Sequence, residues 1–126
     1  MIYLFDTTVL IDYAAGRPAV GSLVRRLFAE DSDLWTCDVV VCEALSGGSA
    51  EQRHAISRLI SSLEYVSTHP DAARWAGESR RSRGATSRRT LGDALIAGVA
   101  WFNHATVVTR NPDDFIAQGI PVLTYD

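Results

Sequence analysis

The 126-residue sequence contains no lysine: all 12 of its basic residues are arginine. That absence excludes any mechanism that requires a lysine. Cysteine is nearly as scarce. Cys37 and Cys42 are too few for a disulfide framework, and no second Cys/His pair completes a zinc site. A reducing, cytoplasmic setting is the expectation. No apolar run approaches the roughly 20 residues of a membrane span, and Met1–Phe5 stops at Asp6, so neither a signal peptide nor a membrane anchor is expected. Internal repeats and low-complexity tracts are missing. So are G-x-x-x-x-G-K-[S/T] and G-x-G-x-x-G, which leaves nucleotide binding by either loop unsupported. Nor is there an excess of positive charge: the net value of −3 argues against a globally basic nucleic-acid binder.

What is present is the composition of a soluble globular protein, 47% hydrophobic and 21% charged, with length for one domain over residues 1–126. Ile2–Phe5 reads as a strand buried on both faces. Val9–Ala15 reads as a short helix stopped by Gly16, and Pro18–Glu30 as a second helix opened by proline. A strand over Leu34–Thr36 leads to a helix over Val39–Leu45, with Asp38 as its N-cap. A helix over Glu51–Leu63, a strand over Tyr65–Ser67 and a helix over His69–Arg83 follow. A helix over Thr90–Asn103 is expected to turn Leu91, Leu95, Ile96, Val99 and Ala100 inward. Thr106–Thr109 is a clear strand, followed by a short helix over Pro112–Gln118 and a last strand over Pro121–Thr124. Short apolar strands alternating with helices predict one α/β domain with a central parallel sheet of about four or five strands.

In such a sheet, functional groups collect beyond the carboxyl ends of the strands. Asp6 ends the first strand, and Asn111, Asp113 and Asp114 follow Thr106–Thr109. Glu43 and Asp93 interrupt otherwise apolar stretches. Four carboxylates from four segments could converge at one end of the sheet, where a hard cation such as Mg²⁺ or Mn²⁺ would offset their repulsion. Each acid also has a plainer reading. Asp6 could cap the next helix, Thr90-Leu91-Gly92-Asp93 has the form of a capping box, and Asn-Pro-Asp-Asp is a common turn composition. Glu43 resists such a reading, because its apolar neighbours imply burial and buried carboxylates have partners. Asp12, Asp31, Asp33, Asp38 and Asp71 read as caps or surface residues.

Asp6-Thr7-Thr8-Val9-Leu10-Ile11-Asp12 resembles the opening motif of PIN-domain proteins, specifically the VapC-like toxins of bacterial toxin–antitoxin pairs. Glu43-Ala44-Leu45-Ser46-Gly47 is similar to their acid-Leu-Leu-x-Gly motif, with Ala44 in place of the first leucine. Asp93-Ala94-Leu95-Ile96-Ala97-Gly98 resembles the third motif, and Thr109-Arg110-Asn111-Pro112-Asp113-Asp114-Phe115 the last. The resemblance spans the whole chain. It implies a Mg²⁺- or Mn²⁺-dependent endoribonuclease in which Asp6, Glu43 and Asp93 match the central acids and Asp114 the acid before Phe. Asn111 matches a position where relatives carry Asn or Asp, Asp113 departs from a position that is commonly non-acidic, and Thr8 matches a hydroxyl residue that orders the first acid. It further implies 5′-phosphate and 3′-hydroxyl products, a homodimer, and silencing by a VapB-like antitoxin.

No histidine stands in any motif, so His54, His69 and His104 read as surface or half-buried residues rather than general bases. No serine or cysteine is paired with a base, and Cys42 reads as a small buried apolar residue. Metal-assisted hydrolysis is the remaining route. A phosphorylated receiver domain would need a lysine, and a haloacid-dehalogenase-type phosphatase would need an Asp at position 8, where Thr stands. The rival from another class is a PIN-like domain that has lost turnover and serves as an RNA-binding or protein-interaction module. Between Arg74 and Arg89 stand six arginines and one glutamate. Arg80, Arg81, Arg88 and Arg89 there could grip RNA phosphates, dock an acidic antitoxin segment, or merely be solvated.

Overall fold

The computed structural model describes residues 1–126. Five strands form one sheet in the order β3-β2-β1-β4-β5, every pair parallel. They are β1 (Ile2–Phe5), β2 (Asp33–Cys37), β3 (Glu64–Val66), β4 (Thr106–Thr109) and β5 (Val122–Thr124). The helices are α1 (Thr7–Ala14), α2 (Pro18–Ala29), α3 (Asp38–Leu45), α4 (Ala50–Ile60), α5 (Pro70–Ser82), α6 (Leu91–Asn103) and α7 (Asp113–Ala117), with a 3-10 turn over Arg88–Thr90 before α6. Every expected strand and helix is present, with ends shifted by a few residues.

The central strands are the most apolar because both their faces are covered. Leu4 and Phe5 of β1 and Val107 and Val108 of β4 have no solvent exposure. Val20, Leu23, Val24 and Leu27 of α2 and Ile96, Val99 and Ala100 of α6 complete the core. α6 lies against α5 so closely that a Cβ on Gly98 would overlap the Ala72 carbonyl oxygen. Leu91, expected inside, is instead exposed, and Leu95 is only half-buried.

The chain builds outward from β1 to β3 on one side, then crosses to β4 and β5 on the other. The direction therefore reverses between β1 and β4, and a crevice opens beyond the carboxyl ends of these two strands. The Asp6 amide still donates to the Val108 carbonyl at 3.1 Å, so the first acid is fixed where the crevice begins.

Two capping expectations need correction. Cys37, not Asp38, is the N-cap residue of α3; the Asp38 carboxylate accepts from the Thr68 amide and from Thr68 Oγ1 at 2.7 Å, tying α3 to the segment after β3. Thr90 places no side-chain bond on α6 and donates instead to the carbonyls of Ala85 and Ser87. The capping box is therefore not formed, and Asp93 is left without that structural role.

Candidate active site

Asp6 does cap α1, and it is also the deepest acid of the crevice. Its Oδ1 accepts from the Thr8 amide at 3.0 Å, from Thr8 Oγ1 at 2.6 Å and from the Val9 amide at 3.3 Å. Burial raises its pKa, against the pull of hydrogen bonds from Thr8, from Thr109 and from the Val9 amide. Thr8 stands where the motif resemblance put it and does more than hold Asp6: its Oγ1 also accepts from the Arg110 amide at 3.2 Å, joining α1 to the loop after β4.

Asp93 lies in the first turn of α6, half-buried. Its pKa is pushed up to about 6, first by desolvation and then by the negative charges of Asp114, Asp6 and Glu43. Asp114 is within hydrogen-bonding reach of it. Four segments distant in sequence therefore bring Asp6, Glu43, Asp93 and Asp114 within electrostatic reach of one another. Glu43 is not buried as its apolar neighbours suggested; it is exposed at the rim, where Thr7 Oγ1 donates to its Oε1 at 2.7 Å. Gly92 passes so close beneath it that a Cβ there would overlap Glu43 Oε2.

The α7 acid that bears on Asp93 is Asp114. Asp113 and Asn111 are exposed beside it, the Asn111 amide donating to Thr109 Oγ1 at 3.0 Å. Arg83 Nη2 approaches Asp114 Oδ1 at 3.6 Å. The acids line an open crevice rather than a closed cage, and no three of them are drawn into a preformed ligand cluster. Oxygen-only donors around an open site fit Mg²⁺ or Mn²⁺, which keep several waters of their own, better than a cation that needs full protein coordination. Asp6, Glu43, Asp93 and Asp114 are the residues that could hold such an ion.

Sequence reading missed a second layer. Asp12, read as a cap or surface residue, is 4% exposed. Its Oδ2 accepts from the Tyr125 hydroxyl at 2.7 Å and pairs with Arg110 Nε at 3.1 Å, while Arg17 lies 3.7 Å from Oδ1. Burial and the Asp12 carboxylate together raise the Tyr125 pKa. The available signal was position: Asp12 follows Val9 by one helical turn and so lies on the buried face of α1. Asp12→Ala should lower stability by about 1–2 kcal/mol, since the Tyr125 hydroxyl loses its acceptor and the partly exposed Arg110 and Arg17 lose an ion-pair partner. Glu30→Ala, which breaks an exposed pair with Arg26 at 3.8 Å, should change it by less than about 0.5 kcal/mol. Thermal unfolding of the two variants compares them.

The basic stretch divides. Arg80 turns inward: its Nη2 donates to the carbonyls of Thr86 and Ser87, and its Nε is buried. It holds the loop before α6 and does not face solvent as an RNA-gripping arginine would. Arg81, Arg88 and Arg89 are exposed. Cys42 is exposed too, contrary to expectation, and the buried thiol is Cys37, pushed up to about 11 by desolvation and therefore unreactive. The three histidines are exposed; His69 caps α5 through Nδ1, and His104 ends α6 in the left-handed conformation at φ 56°.

No helix is long and apolar enough to cross a membrane. The PIN domain family model matches residues 3–126. Ribonuclease VapC19 of Mycobacterium tuberculosis is 30% identical over 115 residues, covering 89% of this chain and 90% of that protein. Among solved structures, VapBC2 from Rickettsia felis bound to a DNA fragment from its promoter aligns over 100% of both chains with a TM-score of 0.82 and 21% identity. A toxin–antitoxin complex from Klebsiella pneumoniae aligns over 97% of this chain and 96% of that one, with a TM-score of 0.75 and 27% identity. With a family model spanning almost its full length and the acid-lined crevice at the sheet's switch point, this chain belongs to the PIN domain family.

Proposed function

We propose that the protein is a VapC-like endoribonuclease toxin that hydrolyses RNA phosphodiesters with acid-bound Mg²⁺ or Mn²⁺, leaving 5′-phosphate and 3′-hydroxyl ends. The convergence of Asp6, Glu43, Asp93 and Asp114 at the switch point carries this reading. A divalent ion bound there supplies Lewis acidity, lowering the pKa of an attacking water and offsetting charge on the phosphate. The protein's own groups prepare the place. Thr8 and the amides of Thr8 and Val9 fix Asp6, Thr7 orients Glu43, and the N-terminal ends of α1, α6 and α7 ease the accumulation of carboxylate charge. Burial and the charges of Asp114, Asp6 and Glu43 raise the pKa of Asp93, and a cation held there would offset that repulsion.

The naming of the relatives supports both the substrate class and a VapB-like antitoxin as partner. A homodimer belongs to the same proposal. Purified protein incubated with cellular RNA tests the activity: cleavage is expected with Mg²⁺, lost in chelator and restored by added Mg²⁺. RNA binding without cleavage under either metal would favour the inactive RNA-binding module instead.

Within the last motif, Asp114→Asn should reduce cleavage roughly 10-fold or more, as befits a carboxylate whose charge bears on Asp93. Asp113→Asn should cost much less, because Asp114 is the α7 carboxylate that acts on Asp93. Initial rates at saturating RNA compare the two, and equal losses would show that both carboxylates serve the site.

A further inference from the structure

Two stacked indoles lie on the outer side of α5 and α6. Trp75 and Trp101 have ring centroids 5.5 Å apart and planes 12° from parallel, and Trp101 remains 45% exposed. Trp75 also forms one end of a cleft of about 430 Å³ between α5 and α7. The cleft wall carries Arg81 and Arg83, and Ser79 donates to Gln118 Oε1 at 2.8 Å across its floor. Arg83, also in its lining, lies 3.6 Å from Asp114, so the cleft neighbours the acids on that side. Glu78 is the one acid in this lining, and it pairs with Arg81 at an exposed 3.3 Å contact that a phosphate could displace; the adjoining depression that holds Trp101 adds Asp71, which Arg74 neutralises at 2.8 Å. Eight residues separate Arg83 from Trp75, about 12 Å of helix.

Arginines in a polar cleft beside the acids, followed by a stacked aromatic pair in the depression that adjoins it across Trp75, Glu78 and Arg81, form the pattern of a single-strand nucleic-acid track. We propose that the α5–α7 cleft, with the adjoining depression that holds Trp101, is a subsite for single-stranded RNA flanking the cleavage point, with Arg83 and Arg81 on phosphates and a base stacked on the exposed Trp101 side of the indole pair. The subsite rests on the ribonuclease reading and adds to it the direction in which the strand leaves the acids. Neither indole was singled out by sequence, since tryptophans at helical spacing also serve cores, and Trp75 does pack against the core on one side.

Binding of a short unstructured RNA, measured in chelator in the Asp93→Asn background, tests it. Bound RNA should quench indole fluorescence, and Trp101→Phe should remove part of that quenching. Trp101→Leu should weaken binding roughly 5-fold or more. Arg81→Gln and Arg83→Gln should each weaken it and flatten the slope of log affinity against log salt by about 0.7. Arg25→Gln on α2 should change nothing. Trp75→Phe, which keeps a ring in the packed position, should bind better than Trp75→Leu even if the latter loses stability. Undiminished binding in Arg81→Gln, Arg83→Gln and Trp101→Leu would overturn the subsite alone, as would a loss confined to Arg88→Gln and Arg89→Gln. A drop in self-association without change in RNA affinity would overturn it in favour of an interface between copies. Parent protein that neither binds nor cleaves single-stranded RNA would overturn the ribonuclease reading itself.

Discussion

Asp93→Asn should abolish RNA cleavage, a loss of at least roughly 1,000-fold, while the protein folds as well as or better than the parent. The loss follows from the place of Asp93 among Asp6, Glu43 and Asp114. The retained fold follows from what Asp93 does not do, since the Thr90 hydroxyl is committed to Ala85 and Ser87 and no capping box depends on the carboxylate. Its pKa, raised from 3.8 to about 6, gives the pH dependence. A carboxyl whose folded pKa is raised contributes stability that is fully present below its unfolded pKa and is lost as pH rises through the folded value. Metal-free parent protein should therefore melt higher at pH 5 than at pH 7.5. The Asp93 share, discounted for partial exposure, is on the order of 1 kcal/mol. Asp93→Asn should reduce that slope. An active Asp93→Asn protein would remove Asp93 from the catalytic set.

Gly92→Ala should give a protein that is no less stable but cleaves RNA roughly 10- to 100-fold more slowly. The added Cβ would overlap Glu43 Oε2 and stand 2.8 Å from Glu43 Cδ. The obstacle is the end of a flexible side chain at the protein surface, so the helix keeps its path and the carboxylate moves. Replacing glycine by alanine within a helix also favours folding by up to about 1 kcal/mol. Activity at several Mg²⁺ concentrations, read beside a melting curve, checks both halves. Gly21→Ala in α2, where a Cβ meets nothing nearer than Arg25 Nη1 at 3.5 Å, should gain stability with full activity. Full activity in Gly92→Ala would mean that Glu43 need not stand where it does.

The parts of the fold that one physical signal dominates were legible in the sequence. β1 and β4 are short, apolar and buried on both faces, and no other element type suits Ile2–Phe5 or Thr106–Thr109. Position in the sequence marked Asp6, Glu43, Asp93 and the Asn111–Asp114 segment as candidates, because each follows a strand or interrupts an apolar run, and the motif resemblance chose Asp114 within that segment. Misreadings came where two readings shared a pattern. Val39–Leu45 is apolar nearly all round, which suggested a buried Glu43 and Cys42. In fact only Val40 and Ala44 of α3 are fully buried, and Val39 lies with Leu91 and Leu95 along a shallow groove beside Glu43. Thr90…Asp93 matched a capping box in spacing alone, and a long-range competitor, the loop carbonyls of Ala85 and Ser87, took the hydroxyl. Asp12 and Arg80 look like surface charges until the fold brings Arg110, Tyr125 and the Thr86–Ser87 carbonyls to them. These partners are distant in sequence or lie across a turn that local patterning does not resolve.

The chemical nature of the product ends tests the central claim most directly. A short RNA cut by purified protein in Mg²⁺ should carry a 5′-phosphate and a 3′-hydroxyl, read by mass and by ligation to a 3′ adapter without prior phosphatase treatment. Such ends require water as the nucleophile, which is the one role the acid crevice can support and a chain without a motif histidine or lysine needs. A 2′,3′-cyclic phosphate with a 5′-hydroxyl, formed at an undiminished rate in chelator, would contradict the account, because the RNA's own 2′-hydroxyl would then be the nucleophile and no bound cation would be needed.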